Sequence, residues 1–190
     1  MKIVLASASP RRKELLQLIG LNPEIIIPAV DEMVRANEAP VVFLERVTMA
    51  KGMAAYQRKY FSHLLICADT IVLLENTVIG KPADREDAFR MLARLSGQRH
   101  EVWTGIALMY QGETRFDIAR TAVYFNELSA SEINFYLDHE KYSDKAGAYA
   151  IQGRAAVFVE RIEGCFFNVM GFPLSLFYRM AKERGLHLHE

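Results

Sequence analysis

The sequence predicts a mixed α/β fold, a twisted sheet flanked by helices. Three observations carry that reading: apolar strand-like runs alternate with helical stretches through the first half, two long strand-like runs flank Gln111-Gly112, and an amphipathic helix closes the chain. At 190 residues the chain is long enough for one substantial core, or for two lobes sharing one sheet within a single domain over 1–190.

The elements follow in order. Ile3 to Ala6 reads as a buried strand, and Ser9-Pro10 opens a helix with serine at the cap and proline at the first helical position. Leu15, Leu16 and Ile19 supply its apolar face, and Gly20 ends it. Glu24 to Ile27 is a second short run stopped by Pro28, after which Asp31-Glu32 sits in a polar loop reaching Pro40. A long helix is expected from about Val41 to Lys59. Leu64 to Ala68 and Ile71 to Leu74 are strand-like, with Asp69-Thr70 as an interruption at a strand end. Asp84 caps a helix to about Leu95, whose Ala88, Met91, Leu92 and Leu95 form a stripe at helical spacing. Strands over Glu101 to Tyr110 and Thr114 to Phe125 make a hairpin. Ser129 and Glu132 form a capping box for a helix to about Asp138. Val157 to Ile162 reads as a strand, and Pro173 opens the final helix to about Arg184.

Composition narrows the partners. Half of the residues are apolar and about a quarter charged (51% and 24%), which excludes low-complexity disorder. The 23 basic and 23 acidic residues cancel, so no global field draws the chain onto nucleic acid or anionic lipid. The first apolar run is too short for a signal peptide and no later run approaches the ~20 residues of a membrane span, which points to the cytoplasm. Cys67 and Cys165 show no metal-type spacing, and Cys67 is expected as a buried thiol. Trp103 is expected to pack in the core or between lobes, and His63, His100 and His139 to take surface or hydrogen-bonded roles, while His187 and His189 lie on a frayed tail.

Four segments carry chemistry. Ser7-Ala8-Ser9-Pro10-Arg11-Arg12 places two hydroxyls, free backbone N–H groups and two guanidinium forks at one strand-to-helix junction, a geometry suited to phosphate oxygens. Arginine in a first helical turn opposes the helix dipole unless an anion binds there. A capped helix with a solvated basic face would look the same. Asp69-Thr70 sets an acid and a hydroxyl among apolar residues, where a carboxylate must be paired, hydrogen-bonded or metal-bound; a turn aspartate is the alternative. Lys81 in Gly80-Lys81-Pro82 is held extended by the proline, and Lys51 lies on the long helix; alone, either reads as an ordinary lysine. Asp144 to Gly153 is rich in small residues that let backbone approach a flat ligand, and Gln152 offers a donor beside an acceptor, as a base edge requires.

Together these segments resemble the Maf family of nucleotide pyrophosphatases. The matching stretches are Leu5 to Arg12 with Glu14-Leu15-Leu16, Asp31-Glu32, Arg46 to Lys51, Ala68-Asp69-Thr70, Gly80-Lys81-Pro82, Leu95-Ser96-Gly97, Asp144 to Gly153, and Val169 to Leu174. They span almost the whole chain in order. The resemblance implies an elongated, ITPase-like fold with two lobes around a central cleft, paired as a homodimer. It implies a nucleoside triphosphate diphosphatase, a hydrolase cutting between the α and β phosphates with Mg²⁺ or Mn²⁺. Asp69 would be the general base or a metal ligand, with Glu32 as the second metal contact. Ser7, Arg11, Arg12, Lys51 and Lys81 would hold the triphosphate. Thr70, Arg12 and Gln152 resemble the branch acting on dTTP and UTP, including modified pyrimidine nucleotides. A branch acting on 7-methylguanosine triphosphate and a non-catalytic nucleotide-binding regulator of cell division are the alternatives. Met170, Phe172 and Val47-Thr48-Met49 depart from the family pattern at positions of packing.

Overall fold

The computed structural model describes residues 2–56, 60–186 and 188. The expected end of the long helix near Lys59 lies outside the described residues, as do His187 and His189. The chain forms two compact units: Met1–Asp69 with Thr104–Ala119 and Gly171–Glu190, and Thr70–Trp103 with Arg120–Met170.

The first unit begins with β1 (Ile3–Ala6) and α1 (Pro10–Leu18). Pro10 takes the first helical position, while Ser9 at the cap makes no side-chain bond to the helix. Gly20, at φ +81°, closes α1: its N–H donates to Gln17 O and that of Leu21 to Leu16 O, the paired pattern of a left-handed helix end. β2 (Glu24–Ile26) lies parallel to β1, which is also parallel to β3 (Leu64–Leu74), so Leu5 sits between Ile25 and Ile66. α2 (Pro40–Ala55) packs Ala55 into a cluster with Val4, Ala6, Leu65, Cys67 and Ala107. Tyr56 is extended, at φ −65° and ψ 128°, so the helix ends there, short of the expected boundary.

β3 corrects one expectation. Asp69-Thr70 does not interrupt two strands; a single strand runs from Leu64 to Leu74 with Asp69 in its middle. The carboxylate is tolerated there because a lysine neutralises it, as the site geometry below makes plain. β3 also pairs antiparallel with β4 (Thr77–Ile79), a strand too short to read in the sequence. β5 (Arg99–Tyr110) and β6 (Glu113–Phe125) flank the expected turn, where Gln111 and Gly112 both take positive φ. The seven-stranded sheet has the order β2-β1-β3-β5-β6-β7, with β4 on β3. It is a mixed α/β fold.

In the second unit, α3 (Arg85–Leu95) is capped by Asp84, which accepts the Asp87 N–H. α4 (Ala130–His139) carries the expected capping box of Ser129 and Glu132. Ala88, Leu92 and Leu95 pack with Ile133, Tyr136 and Leu137 over Val102, Val123 and Phe125. The strand expected from Val157 begins later: Gly153 at φ +80° starts a 3₁₀ stretch, Gly153–Phe158, that buries Ala155 and Phe158. β7 is therefore Val159–Glu163, followed by α5 (Phe166–Val169). The closing helix, α6 (Leu174–Glu183), belongs to the first unit, with Pro173 at its cap. No helix among the described residues is long and apolar enough to cross a membrane.

Three single residues complete the comparison. Cys67 is fully buried and its thiol is pushed up to about 12 by desolvation, which leaves it protonated and inert. Trp103 is not core: its indole N–H donates to Glu101 at 2.7 Å and Arg120 stacks 4.2 Å from the ring centre, because Val102 takes the inward position beside it. His100 is buried with Nε2 at 2.7 Å from the Tyr149 hydroxyl, between the edges of Tyr149 and Phe125.

That histidine gives a pH prediction. Burial, with a smaller push from Arg99, lowers His100 to about 4. The unfolded chain therefore takes up a proton that the folded chain refuses between about pH 6.5 and 4. Stability present above pH 6.5 should fall by up to about 3 kcal/mol as pH drops through that window. Urea midpoints at pH 7 and pH 4.5 test this, and His100→Gln should flatten the pH dependence.

Candidate active site

In the first unit, five of the residues singled out from sequence come together. Lys51 points from α2 at β3, and its ammonium lies 2.5 Å from Asp69 Oδ1 and 2.7 Å from Glu32 Oε1. The lysine and aspartate side chains are 9% and 13% exposed, so the pair is shielded, whereas Glu32 at 36% reaches in from the loop. Ser7 and Arg12 stand beside them. Arg12 is buried and donates through Nη1 to Ser7 Oγ at 3.0 Å and Ala68 O at 2.8 Å, and through Nε to Gly171 O at 2.9 Å. Burial lowers its pKa, and the fields of Asp69 and Glu32 act in the opposite direction.

The local chemistry explains how each is placed. Residues two apart on a strand share a face, so Leu65, Cys67 and Asp69 look the same way. Two of these, Leu65 and Cys67, pack with Ala55 of α2. Gly52 lets the helix come close: a Cβ there would meet Met109 Cε at 2.4 Å and Cys67 Sγ at 2.9 Å. Lys51, its neighbour, is thereby set down on Asp69. Sequence reading passed over Gly52, because a lone glycine in a helix pattern carries no signal of what it faces. Gly52→Ala should cost about 1–3 kcal/mol by overpacking. The same change should lower activity by displacing Lys51, and a thermal melt with a rate measurement checks both.

Ser7 lies at the end of β1 in the turn to α1, and its Oγ accepts the Ser9 N–H at 3.1 Å. The turn is thus pre-shaped, with the helix N-terminus and two arginines around it. Arg11 is half-buried in the first turn of α1, and its charge acts on Arg12. The two arginines differ in kind. Arg12 braces β1, β3 and the Gly171 turn, a role that neighbouring residues in sequence do not reveal, since Gly171 is 159 positions away.

Thr70 follows Asp69 on β3 and is half-buried. Lys81 and Gln152 belong to the second unit, and both are exposed. Their segments are tied together there, as the Gly147 N–H donates to Gly80 O at 3.0 Å. Gly147 and Ala148 both take positive φ, +69° and +61°, which glycine adopts freely and alanine does not, and the buried Tyr149 that follows bonds His100.

As a cation site, the first unit offers two carboxylates around one positive nitrogen, the ammonium of Lys51. Among the described residues no group of three or more His, Cys, Asp or Glu side chains converges on a point. Two carboxylates suit a hard cation that completes its shell with phosphate oxygens and waters, as Mg²⁺ does, and do not suit a closed structural metal.

Comparison with known proteins supplies the kinship of this arrangement. The family model described as Maf-like protein matches residues 2–184. The chain belongs to the Maf family. It is 44% identical over 186 residues to a "dTTP/UTP pyrophosphatase" of Syntrophomonas wolfei, covering 97% of this chain and 98% of that protein. A protein of the same description from Carboxydothermus hydrogenoformans is 45% identical over 188 residues, covering 97% and 100%. One from Bacillus anthracis is 41% identical over 182 residues, covering 96% and 95%. Among solved structures, the Staphylococcus aureus Ham1 protein matches with a TM-score of 0.55 at 13% identity, covering 97% of this chain and 100% of that one. That likeness concerns the fold alone.

Proposed function

We propose that this Maf protein is a nucleoside triphosphate pyrophosphatase that hydrolyses dTTP and UTP, and modified pyrimidine triphosphates, to the monophosphate and pyrophosphate. The observation that carries the reading is the shielded Lys51–Asp69 pair, with Glu32 on the same ammonium, beside the Ser7–Arg12 turn. Identity of 41–45% over nearly the whole chain to proteins described as dTTP/UTP pyrophosphatases supports both the reaction and the choice of base.

The chemistry follows from the residues. Lys51 occupies Asp69 Oδ1, so Oδ2 is the oxygen that would take a proton from the attacking water. The water oxygen bonds to the α-phosphorus as the bond to the α–β bridging oxygen breaks, and that electron pair leaves with pyrophosphate. Ser7, Arg11, Lys51 and Lys81 hold phosphate oxygens, and Arg12 adds a fixed positive charge while bracing the turn. Glu32 and Asp69 would hold Mg²⁺ or Mn²⁺, which when bound supplies positive charge to the phosphate oxygens. Thr70 and Gln152 belong to the substrate site in this reading. The Gln152 amide presents a donor and an acceptor, matching the adjacent carbonyl and N–H of uracil or thymine.

Gln152→Ala should reduce the preference for UTP over CTP by about tenfold, the worth of one to two neutral hydrogen bonds, with kcat on UTP little altered. An unchanged preference would remove Gln152 from base selection. A cytoplasmic homodimer without nucleic-acid or membrane partners completes the proposal; the balanced charge supports the absence of nucleic acid.

The test is pyrophosphate release with Mg²⁺ or Mn²⁺ from a panel of ribo- and deoxyribonucleoside triphosphates, 7-methylguanosine triphosphate included. Fastest release from dTTP and UTP is expected. Activity concentrated on 7-methylguanosine triphosphate would keep the reaction and overturn the choice of base, and no release from any nucleotide would favour a binding regulator.

A further inference from the structure

Residues 27–39 run from β2 to α2 without regular structure, yet they carry Glu32 to within 2.7 Å of Lys51. A connection of this length with no helix or strand of its own is held in one place only by side-chain tethers. Here one residue supplies several of them. Arg46, on the same helix as Lys51, donates through Nη2 to Met33 O at 2.9 Å and reaches Asp31 O through Nη1 at 3.5 Å. Those are the carbonyls on either side of Glu32. Its Nε and Nη2 also fork onto Glu38 at 2.6 and 2.8 Å, and the same carboxylate accepts the Arg35 N–H at 3.0 Å. Asp31 closes the turn from within, accepting the Met33 N–H at 2.9 Å.

This arrangement differs from an ordinary surface ion pair, which holds little. The Glu38 side chain is only 6% exposed, and its carboxyl is held down to about 2, chiefly by the Arg46 hydrogen bond. The guanidinium rests against Phe43, 5.4 Å from the ring centre. One planar fork thus ties the middle of the loop and Glu38, near its end, to the helix that also carries Lys51, a task that a lysine's point charge does not perform.

We infer that Arg46 is the positioning residue that holds Glu32 against the Lys51–Asp69 pair and so sets the protein's affinity for its divalent cation. The inference rests on the proposed reading of Glu32 as a metal contact. Outer residues that orient a ligand carboxylate typically change metal affinity by about 10–100-fold when removed.

The experiment uses the full chain with a non-hydrolysable UTP analogue and follows Mn²⁺ binding by the electron paramagnetic resonance of the free ion. Arg46→Gln should weaken Mn²⁺ binding by about tenfold or more and raise the Mg²⁺ needed for half-maximal UTP hydrolysis by the same factor. The KM for UTP at saturating Mg²⁺ should stay within about twofold of wild type, and added Mg²⁺ should recover most of the rate. Glu38→Gln, which keeps the carbonyl tethers, should weaken Mn²⁺ binding by about threefold and serves if Arg46→Gln does not fold. In a Glu32→Gln background, Arg46→Gln should add no further loss. Mn²⁺ affinity unchanged in Arg46→Gln or Glu38→Gln, with Glu32→Gln impaired, overturns the inference alone. A further tenfold loss in the double variant also overturns it. Wild-type Mn²⁺ affinity in Glu32→Gln removes the metal reading of Glu32 and this inference with it.

Discussion

Asp69→Asn will remove nearly all turnover, lowering kcat by about 10²–10⁴-fold, the usual worth of a positioned general base. Asparagine keeps the shape of the side chain and an oxygen for Lys51, so the fold and nucleotide affinity should survive. The charge does not survive, and neither does the oxygen that would accept a proton from water. Asp69 sits in the middle of β3, and removing Lys51 leaves its shielded carboxylate without a counter-charge, whereas removing the Asp69 charge leaves Lys51 paired with Glu32. Lys51→Met should accordingly destabilise the protein, whereas Asp69→Asn should alter its melting temperature far less than its rate. Near-normal rates in a folded Asp69→Asn protein would remove the general-base assignment.

Arg12→Lys should have the largest effect on stability. The guanidinium bonds Ser7 Oγ, Ala68 O and Gly171 O from a buried position, joining segments that are distant in sequence. A lysine ammonium cannot reach these acceptors in the same fork, so buried carbonyls lose a charged donor while a charge stays buried. The expected cost is about 3–5 kcal/mol, or a melting temperature lower by roughly 10 °C for a chain of this size. Activity should fall as well, because the Ser7 turn and the Ala68–Asp69 stretch of β3 are fixed by the same side chain. A loss confined to nucleotide affinity, with stability intact, would make Arg12 a substrate contact and not a brace.

What the sequence revealed and what it withheld divide along physical lines. Local signals were legible: the proline at the start of α1, the left-handed Gly20 at its end, the Asp84 cap and the Ser129–Glu132 capping box all stand where their residue types require. Ser7 and Asp69 stand out for their own chemistry, whereas Lys51 and Glu32 are legible as site residues only through the family pattern. The meeting of Asp69 and Glu32 on the Lys51 ammonium depends on Gly52 admitting α2 to the sheet, and nothing near Gly52 in sequence announces Cys67 or Met109. Asp69 read as a break in a strand because carboxylates rarely sit inside one; its partner lies 18 positions earlier. The brace of Arg12 and the tethers of Arg46 were invisible for the same reason, as their acceptors are backbone carbonyls that any residue supplies. The residue type of Trp103 suggests packing in the core or between lobes, whereas strand alternation gives the inward place to Val102.

Attack by water on the α-phosphorus is tested directly by one isotope measurement. UTP is hydrolysed to completion in ¹⁸O-enriched water with Mg²⁺, and the products are separated and weighed by mass spectrometry. One ¹⁸O atom is expected in the phosphate of UMP and none in pyrophosphate. Label in pyrophosphate, or release of UDP and inorganic phosphate in place of UMP, would contradict attack at the α-phosphorus.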